Sequence, residues 1–195
     1  GSDTFGTDSG WFESVMQEFG LTERDCYNVE QSGKIMVLWK LLTEANEQQE
    51  KVLVFSQSIK LLSMIEKLLE TSPINGEIYR YNEDYFRLDG SKSSKSRQSD
   101  IDNFNHIDNV SARLFLVSTR AGSLGVNLVA ANRVVLMDVS WNPTHDLQAI
   151  FRTYRYGQDK PCFVYRLVAH GTMEEKIYRR QIRKQGRSLR VVDSF

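Results

Sequence analysis

Cysteine and histidine are scarce in this chain of 195 residues, at two and three. Cys26 and Cys162 stand far apart, which argues against a disulfide framework and fits a reducing compartment. Three scattered histidines with no cysteine pair offer no ligand spacing, so no metal site is expected. No apolar run approaches the ~18 residues that a membrane helix needs. Gly1-Ser2 looks like an expression scar, and no signal peptide follows it. An excess of charge is missing too, since 25 basic residues balance 25 acidic ones. Contact with a nucleic acid must therefore come from local patches and not from a globally basic fold.

Two phosphate-binding signatures are also absent. No glycine stands five positions before Gly33-Lys34, so the Walker pattern is missing and the pair reads as a helix start capped by Ser32. No Gly-x-Gly-x-x-Gly follows any apolar run, which excludes a Rossmann oxidoreductase. The length suits one domain with appendages, and such a chain buries roughly 70% of its unfolded surface without any staple.

What is present is an alternation. Trp11, Val15 and Phe19 recur at helical spacing, closed by Gly20, after a polar start up to Thr7 that reads as disordered. A second amphipathic run follows Ser32. Short apolar segments suited to buried strands occupy 51–55, 85–88, 113–117, 133–137 and 163–168. Helical patterns lie between them, at 59–69, around Arg97 to Phe104, at 144–155 and at 173–185. Residues 71–84 form a polar insertion with an Asn75-Gly76 turn. Strands and helices alternating in this way predict an α/β fold, a parallel sheet with helices on both faces. Ligands of such sheets collect at the carboxyl ends of the strands. Those ends carry Ser56-Gln57, Asp89-Gly90-Ser91, Ser118 to Gly122 and Asp138 to Trp141.

The stretch from Ser118 to Gln158 concentrates the chemistry. Gly122 and Gly125 free the backbone for close approach. Asn142-Pro143-Thr144 reads as a helix start, and Arg152 and Arg155, three apart, would share one helical face. Two guanidinium forks aimed at one point suit a phosphate chain.

Ser118-Thr119-Arg120-Ala121-Gly122, Gly125-Val126-Asn127, Ser140-Trp141-Asn142-Pro143, and Gln148 with Arg152-x-x-Arg155-x-Gly157-Gln158 together resemble the last motifs of the SWI/SNF family of helicase-like ATPases. Phe151 and Tyr154 stand where the commoner pattern has an acidic residue and a histidine. That departure, with the ending Arg190-Val191-Val192-Asp193, resembles the ATRX-like subgroup. The resemblance implies a second, C-terminal RecA-like lobe over 32–172, an N-terminal extension over 1–31 and a basic helix and tail over 173–195. It implies a nuclear, ATP-dependent translocase of double-stranded DNA acting on nucleosomes, with ATP and Mg2+ held mainly by a first lobe whose phosphate loop and acidic box are not in this sequence.

By the same resemblance Arg152 and Arg155 are catalytic, reaching the nucleotide across the cleft, and Gly125, Asn127 and Gln158 bind the nucleotide. A solvated or salt-bridged helix face is the competing account of the arginines. DNA contact should be to backbone phosphates, since movement along arbitrary sequence forbids base readout. Its candidates are Ser56, Gln57, Gly90, Ser91, Lys92, Thr119, Arg120 and Trp141, the last competing with a place in the core. The segment Lys176 to Arg190 carries seven cations, which suit solvent, the first lobe or DNA. Two other functions stay open: the second lobe of an RNA helicase, and a free-standing DNA- or protein-binding module on the same fold.

Overall fold

The computed structural model describes residues 10–20, 22, 25–122 and 126–192. The expectations for the polar start and for Gly1-Ser2 lie outside them. Helix α1, Gly10–Glu18, ends at Gly20, whose φ of 61° is the left-handed conformation glycine adopts without strain. Two single-turn 3₁₀ helices, Asp25–Tyr27 and Val29–Gln31, lead to α2, Gly33–Glu47. Ser32 caps α2 by accepting a hydrogen bond from the Ile35 amide, so Gly33-Lys34 is a helix start.

The strands are β1 Val52–Ser56, β2 Tyr85–Leu88, β3 Leu114–Ser118, β4 Arg133–Leu136 and β5 Phe163–Arg166. All pair in parallel, in the order β2-β3-β1-β4-β5. The remaining helices are α3 Ile59–Thr71, α4 Ser94–Asn105, the single turn α5 Thr119–Gly122, α6 Pro143–Ile150 and α7 Met173–Val192. Ser58, Ser93 and Asn142 cap α3, α4 and α6.

Every residue of β1 is buried, because both faces of the sheet are covered. Val52 and Val54 face the cluster of α2 and α3, with Leu38, Leu62 and Ile65. Leu53 and Phe55 alternate to the other face, with Ile101 and Phe104 of α4 and Ala149 of α6. Phe104 meets Phe115 edge-on, with ring centroids 5.1 Å apart. This is the expected RecA-like architecture.

Two boundaries differ by more than two residues. Helix α6 stops at Ile150 and not at 155. Beyond it the amides of Arg152 and Thr153 bond three residues back, to Ala149 and Ile150, and the Thr153 hydroxyl takes up the Ile150 carbonyl at 2.8 Å. That tightening ends the helix. Arg152 and Arg155 therefore sit in successive turns and share no helical face. Helix α7 runs to Val192, seven residues past its expected end at 185.

Candidate functional site

The strands converge on one carboxyl edge, and a carboxylate organises each side of it. Asp138, just past β4, accepts from the Ser56 hydroxyl at 2.5 Å, from the Gln57 amide at 3.0 Å and from the Gln57 side chain at 3.2 Å. It thereby ties the end of β1 to that of β4. Ser56 is 0% exposed, so it braces the edge from beneath and offers no surface hydroxyl. Gln57 is exposed with both its donors turned to Asp138.

Asp89 does the same past β2. It accepts from Arg87 Nε at 2.9 Å and from the amide and hydroxyl of Ser91, so Gly90 and Ser91 form a fixed, exposed turn. Burial pushes the Asp89 carboxyl up, but the Ser91 hydrogen bonds and Arg87 outweigh it and hold the group below the usual carboxylate range. Arg87 also pairs with Glu66. Lys92 is half-buried, paired with Asp100 and 5.1 Å above the Tyr81 ring. Burial lowers its pKa, and hydrogen bonds to Asp100 and Tyr81 more than restore it, to above the ordinary value. Its charge is neutralised within the lobe.

The Ser118 hydroxyl accepts from the Ala121 amide at 3.2 Å, starting the turn that presents half-buried Thr119 and exposed Arg120. Trp141 is 67% exposed and is no core residue. The peptide before it is anchored, because Gln181 of α7, 2% exposed, donates to the Ser140 carbonyl and to Asp146 at 3.1 Å. Sequence reading gave no role to Asp138 or Gln181. An aspartate directly after a buried strand was a usable signal for the first; nothing local marks the second.

The arginine turn follows α6 and is held to the loop before β4. Arg152 is 9% exposed, and its Nε has no hydrogen-bond partner. Burial, then the neighbouring Arg155 charge, pushes its guanidinium below the ordinary value. Arg155 is exposed. No ion pair to a carboxylate is formed by either among the described residues, which is the charge state a bound polyphosphate would relieve. Exposed Phe151, Tyr154 and Tyr156 flank them.

Gln158, expected at the nucleotide, has its side-chain amide engaged within the lobe. Its Nε2 donates to the carbonyls of Val129 and Ala131 at 2.9 and 2.8 Å, and its Oε1 accepts from the Lys160 amide at 3.0 Å. It clamps the loop before β4 to the arginine turn, as does the Leu128 amide on the Arg152 carbonyl at 3.2 Å. Asn127 is exposed, and its carbonyl accepts from Asn105. Gly125 lies outside the described residues. Among those residues no group of three or more His, Cys, Asp or Glu side chains could hold a metal ion, and no helix is long and apolar enough to cross a membrane.

The helicase conserved C-terminal domain family matches residues 33–157, well over half of the chain. The chain belongs to that family. Transcriptional regulator ATRX homolog of Drosophila melanogaster is 48% identical over 198 residues, which cover 95% of this chain. Transcriptional regulator ATRX of Homo sapiens is 50% identical over 187 residues, covering 89% of it. The chain spans only 15% and 8% of the lengths of those two regulators. A crystal structure of the C-terminal part of Fun30 ATPase domain superposes with a TM-score of 0.69 at 35% identity, over 88% of this chain and 51% of that one. The helicase C-terminal domain described here is thus of the SWI/SNF, ATRX-like kind, a RecA-like lobe of a helicase-like ATPase.

Proposed function

We propose that this lobe supplies the arginines and part of the DNA track of a two-lobe, ATP-dependent translocase that moves along double-stranded DNA in the nucleus and remodels nucleosomes. The observation that carries the reading is Arg152, nine-tenths buried with an unpartnered Nε, next to exposed Arg155 and without a carboxylate partner. Two such guanidiniums fit a triphosphate whose charge grows as the γ-phosphoryl leaves. ATP is the substrate, and magnesium falls to the first lobe. Phe151 and Tyr154, both exposed beside the arginines, would shield the cleft from water once the first lobe closes on them.

The duplex would lie on the carboxyl edge. Gly90, Thr119, Arg120 and Trp141 are its accessible groups, while Asp138 and Asp89 fix the turns beside them. Ser56, Gln57, Ser91 and Lys92 act chiefly as supports in this reading, since their donors are engaged within the lobe. The edge and the arginine turn belong to one lobe, so a duplex held in register would align the arginines across the cleft.

The test is Arg155→Ala in the two-lobe protein. Turnover at saturating ATP and DNA should fall by about 10³–10⁵, the usual contribution of an arginine finger. Nucleotide and DNA affinity should hold, because the charge it meets is greatest in the transition state. Arg155→Lys should rescue little, an ammonium having no planar fork. Near-normal turnover in the alanine variant would make the pair structural.

A further inference from the structure

Helix α7 has two faces of opposite character. Its inner face is fixed by three contacts at helical spacing. Glu174 takes the ammonium of Lys34 at 2.6 Å, the Arg166 guanidinium lies 5.6 Å above the Tyr178 ring, and Gln181 is buried on Ser140 and Asp146. Positions 174, 178 and 181 form one helical stripe, so the rotation of the helix is set.

That rotation turns Lys176, Arg179, Arg180, Arg183 and Lys184 outward, where together they line one open groove. Arg179 pairs with Glu175. Among the described residues Lys176, Arg180, Arg183 and Lys184 have no carboxylate partner. Like charges at spacings of three and four oppose helix formation, so the fold gains nothing from this strip by itself.

We propose that the outer face of α7 is a second phosphate track for double-stranded DNA, continuous with the carboxyl edge. This rests on the reading that the edge carries a duplex. Continuity comes from Gln181, which holds the peptide directly before exposed Trp141 and so lays the middle of the helix beside that edge. From Lys176 to Lys184 the helix rises about 12 Å at ~1.5 Å per residue, a length over which a duplex presents about seven phosphates. The composition selects a polyanion over a protein partner. Protein interfaces are depleted in lysine and built on an apolar centre, whereas Lys176 to Lys184 carry five cations and, among the described residues of that span, Ile182 as the one exposed aliphatic. Such a track binds any sequence and adds to affinity through counterion release.

The experiment is fluorescence anisotropy of a short labelled duplex with the full chain, titrated at several salt concentrations. The quadruple variant Lys176→Gln, Arg180→Gln, Arg183→Gln, Lys184→Gln is compared with wild type and with Arg120→Ala. Circular dichroism melting checks that the quadruple variant is folded. Each lost phosphate contact should flatten the log–log salt slope by about 0.9, so the quadruple variant should lose about two units or more. An unchanged slope in the folded variant overturns the proposal. If Arg120→Ala leaves the slope unchanged while the quadruple variant flattens it, the edge reading fails, and α7 is a phosphate track by itself and not the continuation of the edge proposed here. If the quadruple variant keeps its slope and the same changes in the two-lobe protein lower ATP turnover at saturating DNA, the face docks on the first lobe and the proposal is wrong.

Discussion

Glu50 and Arg133 show how single residues set the frame that the site depends on. Arg133 opens β4 almost wholly buried, with its guanidinium shared among Glu50, Gln48 Oε1 at 2.8 Å and the Tyr165 hydroxyl at 2.9 Å, and 5.1 Å from the Phe163 ring. Removing one partner of a buried pair strands the other charge, so Glu50→Ala should destabilise the lobe by about 3–5 kcal/mol, read by denaturant unfolding. Burial pushes the Glu50 carboxyl up, but hydrogen bonds from Arg133 and Asn132 overcome it and hold the group below its ordinary value. Asp89 is held low as well. A carboxyl depressed in the folded state contributes stability in full above its unfolded pKa, and that stability is lost as pH falls through the folded value. Melting temperature should therefore drop as pH falls below about 4, and Glu50→Gln should show a weaker dependence than wild type. A wild-type melting temperature flat to pH 3 would contradict both assignments.

At the level of elements, legibility followed the range of the interactions. The strands were readable because runs such as Val52 to Phe55 and Leu114 to Val117 are buried on both faces and need no distant information. The serine cap at 32 was local in the same way. The end of α6 was not, because Arg152 and Arg155 at a spacing of three are as compatible with helix as with the turns that Thr153 closes. Nor was the role of Gln158, whose partners Val129 and Ala131 are 29 and 27 residues away. The motif names these residues, but only packing shows which ones face outward and which hold the others in place. Gln158→Ala tests that division. Two carbonyls lose their donor, so stability should fall by about 1–3 kcal/mol. In the two-lobe protein turnover should fall with it, while nucleotide affinity should stay near wild type, as expected of a side chain whose amide is engaged by the loop. A selective loss of nucleotide affinity at full stability would return Gln158 to the role that its motif suggests.

The whole molecule has a cation pair and an edge proposed as a phosphate track, and the chemistry of hydrolysis needs more than these. Phosphoryl transfer requires the γ-phosphate, a metal ion and an attacking water to be held in line, and arginines contribute by neutralising charge once that alignment exists. The helicase C-terminal match occupies 33–157, and the sequence contains no Walker pattern to cradle the phosphates. Nothing in Arg152 and Arg155 can substitute for that cradle, because a fork of fixed donors binds the triphosphate without placing the nucleophile. The chain alone should consequently release phosphate from ATP no faster than buffer, with or without duplex DNA. Anisotropy of a labelled duplex run in parallel supplies the control, since a chain that still binds DNA in a salt-dependent way is folded and presents its edge. Adding the missing lobe as a covalent extension should restore turnover and make it depend on DNA, for the duplex then spans both lobes and brings the arginines across the cleft. DNA-stimulated turnover by the chain alone would mean that this lobe holds a complete site, and the half-site reading would fall.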